Sequence, residues 1–223
     1  MRRLVAALLL VGAGWLASPA AVPVYDGVGS PDDPYRYVGK SPAPSTASVS
    51  APLSGGTSGS LQLKTAENGP QLLVDLGAGA FRGTGSSLTL TGTPLPPDGT
   101  PPRGSIDGNV YRVSARGGRL DLDTTQGFLF LRAAVMTRPD PVVVHRDGPG
   151  APWQEVKTTL AGRDILSTPF RALGDYAVVR LPGAKPLSDS GLSLTRVLLL
   201  GGGVLLLLVV TVLVLRRPGS QQD

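Results

Sequence analysis

The sequence predicts an all-β domain, a single antiparallel β-sandwich or small barrel, followed by one C-terminal transmembrane helix. Three observations point there. Between residues 61 and 181 short apolar runs alternate with polar residues at a period of two, as in Arg119-Leu120-Asp121-Leu122-Asp123 and Ser87-Leu88-Thr89-Leu90-Thr91. That period is the mark of half-buried strands. The chain carries 30 Gly and 21 Pro among 223 residues, so turns are plentiful and long helices disfavoured. Residues 197–215 form an uncharged run of nine Leu, six Val, three Gly and one Thr.

The strands are expected at 61–64, 71–76, 87–91, 109–115, 119–123, 128–135, 142–146, 154–160 and 176–181. Turn sequences separate them: Asn68-Gly69-Pro70, the proline-rich stretch 94–102, Arg116-Gly117-Gly118, Asp147-Gly148-Pro149-Gly150 and Pro182-Gly183. About 120 residues can enclose one core without disulfide staples.

The two ends set a topology. Residues 1–20 pair Arg2 and Arg3 with an apolar stretch and the small residues Ser18-Pro19-Ala20. This is the pattern of a secretory signal peptide cleaved after Ala20. The run 197–215 would span roughly 28 Å as a helix, matching the hydrocarbon thickness. Arg216 and Arg217 follow it as a positive stop on the cytoplasmic side. The expected layout is a signal peptide at 1–20, a Tyr/Pro-rich extended segment at 21–40 and a Ser/Pro/Gly/Ala linker at 41–60. The β-domain at 61–181, a stalk at 182–195, the membrane helix at 196–216 and a cytoplasmic tail at 217–223 complete it. The body then lies outside the plasma membrane, integral through a single pass. The linker assignment rests on composition: 18 of residues 41–60 are Ser, Thr, Gly, Pro or Ala, too little apolar surface to offset ordering.

Charge follows the same layout. The net +5 suggests nucleic acid until its location is considered. Five of the 21 basic residues (Arg2, Arg3, Arg196, Arg216 and Arg217) and one of the 16 acidic ones, Asp223, fall outside residues 21–195. The ectodomain keeps 16 against 15, a net of +1, so no nucleic-acid partner is expected.

Composition narrows the chemistry. Without cysteine there are no disulfides, thiol nucleophiles or Cys-ligated metals, and one histidine leaves a single imidazole. No catalytic residue, metal site or cofactor is expected, and an extracytoplasmic hydrolase is the disfavoured alternative. His145 should end a buried strand. Asp121 and Asp123 share one strand face, a spacing open to paired-carboxylate or calcium chemistry, but Arg119 shares that face too. Trp153 should begin a strand. Glycan binding is weakly supported, because a platform wants several exposed aromatics and the core needs most of those present.

Residues 25–38 read YDGVGSPDDPYRYV, with three of the five tyrosines in 14 positions. Tyr25, Asp26, Asp32, Asp33, Tyr35, Arg36 and Tyr37 are the candidate partner-binding residues. Tyrosine offers large contact area at low entropic cost, and Pro31 and Pro34 keep the segment extended. It should either dock on the β-domain or present a recognition epitope. Gly201, Gly202 and Gly203 interrupt the apolar run and could admit a second helix. Together these features leave two roles: a tethered binding or structural β-domain at the cell surface, or an accessory subunit of a membrane complex.

The pattern Tyr-Asp-Gly-x-Gly-x-Pro-Asp-acidic-Pro-Tyr-Arg-Tyr-Val resembles a segment found after the signal peptide in exported, single-pass proteins of actinobacteria. Ser30 stands where that pattern often has Phe. The resemblance covers these 14 residues and the overall layout. It implies a source and a topology and transfers no activity.

Overall fold

A computed structural model describes residues 32–121 and 127–187. The expected signal peptide, membrane helix and tail, and with them Tyr25, Asp26, Asp123 and Gly201 to Gly203, lie outside the described residues. No helix long and apolar enough to cross a membrane occurs among the described residues.

The described chain is all-β and antiparallel. In chain order its strands are β1 (Ala47–Ser54), β2 (Thr57–Ser58), β3 (Leu61–Lys64), β4 (Leu72–Leu76), β5 (Phe81–Arg82), β6 (Ser87–Leu95), β7 (Ser105–Arg116) and β8 (Arg119–Leu120). They continue with β9 (Gly127–Arg132), β10 (Thr137–Arg138), β11 (Val142–Arg146), β12 (Gln154–Glu155), β13 (Thr159–Leu160), β14 (Ile165–Pro169), β15 (Gly174–Arg180) and β16 (Lys185–Pro186). Nine form one curled sheet in the order β12-β11-β15-β7-β6-β1-β2-β5-β8. Five form a second sheet, β13-β14-β9-β4-β3, and β10 pairs with β16.

Alternation decides which face is buried. In β3, Leu61 and Leu63 are buried while Gln62 and Lys64 are exposed. In β9, Gly127, Leu129 and Leu131 point inward. The inward rows of both sheets meet in one core that includes Leu63, Leu72, Val74, Leu90, Tyr111, Leu129, Leu131, Phe170 and Tyr176. Gly92 lets the sheets approach: a Cβ there would stand 3.1 Å from a Leu63 methyl. A smaller cluster of Val110, Val144, Trp153, Ala177 and Val179 lies on the other face of the large sheet.

Several stretches differ from expectation. The expected linker at 41–60 contains β1, which registers over six residues with β6, from Ala47↔Gly92 to Pro52↔Ser87, and β2. Ala47, Val49, Ala51 and Leu53 alternate inward and pack on the core. On the outer face the Ser50 and Thr89 hydroxyls hydrogen-bond at 2.9 Å. Small residues do not prevent a strand when a neighbour supplies the ladder. The second difference is β14, where no strand was expected; its Leu166 and Thr168 point inward. The expected strand 154–160 is instead two short ladders, β12 and β13, in different sheets. The start of the expected stalk is tied down through β16.

Both described ends of the chain lie at one end of the domain. Asp33 donates its backbone N–H to Asn68 O, in the turn between β3 and β4. Leu187 donates to Met136 O, four residues past the end of β9. Arg132, the last residue of β9, reaches Asp33 O at 2.7 Å and Gly69 O at 3.3 Å. The β14 strand starts there too, with Ile165 opposite Arg132. The opposite end of the domain carries Phe128, β5, β8 and the β7–β8 turn.

Candidate binding surface

The tyrosine-rich segment docks on the β-domain through two buried side-chain amides. Gln71, fully buried at the head of β4, donates from Nε2 to Arg36 O at 3.0 Å and accepts the Arg36 N–H on Oε1 at 3.2 Å. Asn109, on β7, donates from Nδ2 to Arg36 O at 2.7 Å and accepts the Val38 N–H on Oδ1 at 2.9 Å. The two amides therefore satisfy the extended backbone much as a neighbouring strand would. Asn109 N–H in turn donates to the Tyr35 hydroxyl at 3.0 Å. Gln71 is itself fixed, because its N–H donates to Thr65 Oγ1 at 2.9 Å.

Of the candidate residues, the structure brings Asp33, Tyr35, Arg36 and Tyr37 into this contact. Arg36 pairs with Asp33 at 2.7 Å. The Tyr35 and Tyr37 rings meet edge to face at 5.0 Å, and Lys40 lies over the Tyr37 ring. Asp32 is exposed beside Gly69. Burial pushes the Tyr35 phenol up to about 12, against the opposing bond from Asn109. Its hydroxyl thus stays neutral over the ordinary pH range.

Below the segment lies a polar layer that sequence reasoning missed: Thr65, Glu67, Gln71, Asn109 and Tyr111, all buried. Glu67 Oε1 accepts both the N–H of Ser45, at 2.7 Å, and its hydroxyl. Burial pushes the Glu67 carboxyl up, but the bonds from Thr65 and Ser45 outweigh it and hold it below the usual carboxylate range. Gln71 is out of phase with the inward row Leu72, Val74 and Leu76, so alternation carries no local signal of its burial.

A second charged group crosses the large sheet. Asp175 on β15 is fully buried and accepts Arg112 Nε on Oδ1 at 2.7 Å and Arg146 Nε on Oδ2 at 2.9 Å. Arg146 also reaches Asp98 at 3.1 Å and lies 4.5 Å over the Trp153 ring. Trp153 Nε1 donates to Asp98 O at 3.0 Å. This group pins the proline-rich loop 96–102 to the sheet, so Trp153 is used in packing.

The other singled-out residues have structural partners. His145 is the penultimate residue of β11, with Nε2 3.1 Å from Leu173 O and its ring 4.6 Å from that of Tyr176. Asp121 pairs with Arg82. Among the described residues, no three His, Cys, Asp or Glu side chains group as a metal site.

Two open depressions mark the surface. One, of about 310 Å³, lies along residues 97–101 and 104–106. The other, of about 430 Å³, is lined by Gly56, Arg82, Gly83, Thr84, Gly117, Gly118 and Arg119. Its glycines serve backbone packing, since a Cβ on Gly83 would collide with Gly117 O in the β7–β8 turn and one on Gly117 with Ser87 O of β6. It lies at the end of the domain opposite the chain ends. Phe128, half exposed, is at that end too, 6.3 Å from the Phe130 ring. No family model matches the chain, and neither does any curated protein or solved structure.

Proposed function

We propose that the chain is a membrane-tethered, extracytoplasmic β-domain, a half-open barrel or sandwich with a binding role at the cell surface. The observation that carries this is the common exit: the described chain enters at Asp33 and leaves at Leu187 at the same end of the domain. A module hung from a membrane by its C-terminus then presents the opposite end outward. That end holds the arginine-lined depression at Arg82 and Arg119 and the exposed Phe128 ring. The signal-peptide pattern at 1–20, the apolar run 197–215 and Arg216-Arg217 supply the direction.

The accessory-subunit reading draws on Gly201 to Gly203 and on the tyrosine-rich segment. Docking favours the tethered module, because the Arg36 and Val38 backbone and the Tyr35 hydroxyl already bond within the domain.

Labelling tests the topology. The chain has no cysteine, so a Ser86→Cys variant carries one thiol at the outward end and Ser220→Cys carries one in the tail. On intact cells a membrane-impermeant maleimide should label the first and spare the second until the membrane is opened. Labelling of the tail alone on intact cells would refute the topology.

A further inference from the structure

We propose that the end of the domain where the chain leaves rests against the lipid surface, through the β13–β14 hairpin and the residues around Leu187. This rests on the tethered reading of the run 197–215.

Three of the four large apolar side chains exposed among the described residues are here: Leu160 at 43%, Ile165 at 38% and Leu187 at 44%. They belong to one neighbourhood. Leu160 and Ile165 flank the hairpin tip, closed by Ala161 N–H and Gly162 N–H bonding to Ile165 O. The tip is tied to the end of β9 by Ala133 N–H donating to Asp164 O. Three residues on, Met136 O accepts the Leu187 N–H. Half-buried Ala134 and Val135 lie between these two bonds. The described residues thus gather their exposed aliphatic side chains at the end of the domain where Leu187 lies, eight residues ahead of Arg196.

Charge is distributed to match. Arg163 at the hairpin tip and Lys185 on the β10–β16 ladder are exposed around this aliphatic group. Nearby Asp164 and Asp140 are each paired, to Arg132 and Arg138. Aliphatic side chains ringed by Arg and Lys suit the headgroup region of an anionic bilayer.

Reach fixes the partner. Eight residues, 188–195, separate Leu187 from Arg196. Even fully extended they cover at most about 28 Å. A surface held that close meets lipid at a high effective concentration, so individually weak contacts suffice.

The test uses full-length chain in vesicles of phosphatidylcholine and phosphatidylglycerol, with an environment-sensitive fluorophore on Leu160→Cys, Phe128→Cys or Leu206→Cys. All three sites are singly labelled because the parent has no thiol. The 160 label should shift to the blue and lose most of its emission when the lipids carry brominated acyl chains. The 128 label, at the far end of β9, should keep its aqueous spectrum. Quenching at both 128 and 160, or at neither, overturns the inference. So does energy transfer between 160 labels on separate chains without lipid quenching, which would make this face an interface between copies. The 206 label decides the tether separately: if it is quenched and 160 is not, the span stands and the lipid contact fails. Arg163→Glu combined with Lys185→Glu should abolish the preference of the 160 signal for phosphatidylglycerol over phosphatidylcholine alone.

Discussion

The Tyr35 hydroxyl fills the space that a side chain on residue 108 would need. Its oxygen lies 2.5 Å from where a Cβ on Gly108 would stand, and Gly108 has a φ of 111°, which favours glycine. The glycine and the tyrosine are thus one device for holding the N-terminal segment. Gly108→Ala should lower stability by about 2 kcal/mol from backbone strain alone. It should also displace the ring, so amides 36–38 exchange hydrogen faster than those of the β4–β9 ladder. Tyr35→Phe keeps the ring but leaves the buried Asn109 N–H without its acceptor, at a cost of about 1 to 3 kcal/mol. If amide exchange at 36–38 is unchanged in Gly108→Ala, the hydroxyl contact does not hold the segment.

Asp175 controls the acid limit of the fold. Burial pushes its carboxyl up, but the Arg112 and Arg146 guanidinium groups outweigh that and hold it below the usual carboxylate range. A depressed carboxyl contributes stability that is present above its unfolded value and lost as pH falls through its folded one. Urea midpoints should therefore be level near neutrality and fall on acidification below about pH 4. Asp175→Ala leaves Arg146 buried without its main counter-charge and should cost about 3 to 5 kcal/mol at pH 7. Asp175→Asn should show a shallower acid slope than the parent, and equal slopes would remove Asp175 from the account.

The strands that were legible carried either strict alternation, as in β3, or a short run of valines, as in β11. The expected 61–64 and 142–146 coincide with β3 and β11 to the residue. The polar layer was not legible, because Gln71 and Asn109 act on residues 35 and 73 positions away. Nothing local distinguishes such amides from surface ones. The segment 32–38 stood out by its tyrosines, yet its docking depends mostly on backbone atoms, which any sequence supplies. For β14 the inward row is one leucine and one threonine, Leu166 and Thr168, too weak an alternation to mark five residues of strand.

Asp107 should be a site of easy stabilisation. Its Oδ2 is buried without a hydrogen-bond partner, and burial pushes its carboxyl up against the opposing pull of Arg180. For a raised carboxyl the favourable contribution exists below the unfolded value and disappears as pH rises through the folded one. At neutral pH the charged form is therefore a burden. Asp107→Asn should raise stability by about 0.5 to 1 kcal/mol at pH 7. The advantage should shrink toward zero on acidification below about pH 4, where the parent carboxyl is protonated in both states. A gain that persists at low pH would trace to the amide's new bonds and not to the charge.

The strand inside the Ser- and Ala-rich stretch gives the sharpest contrast. If 41–60 served only as a tether, charged substitutions along it would be interchangeable. With β1 held between β6 and β2, Val49 packs on the core and Ser48 faces solvent. Val49→Asp should therefore cost about 3 kcal/mol or more by placing a carboxylate against the core. Ser48→Asp, one residue away, should cost less than about 1 kcal/mol, the scale of strand propensity. Urea midpoints of the two variants measure the difference directly. Equal midpoints would mean that β1 does not contribute to the folded core in solution, and β6 would then be open on the side where Ala47 to Pro52 now pair.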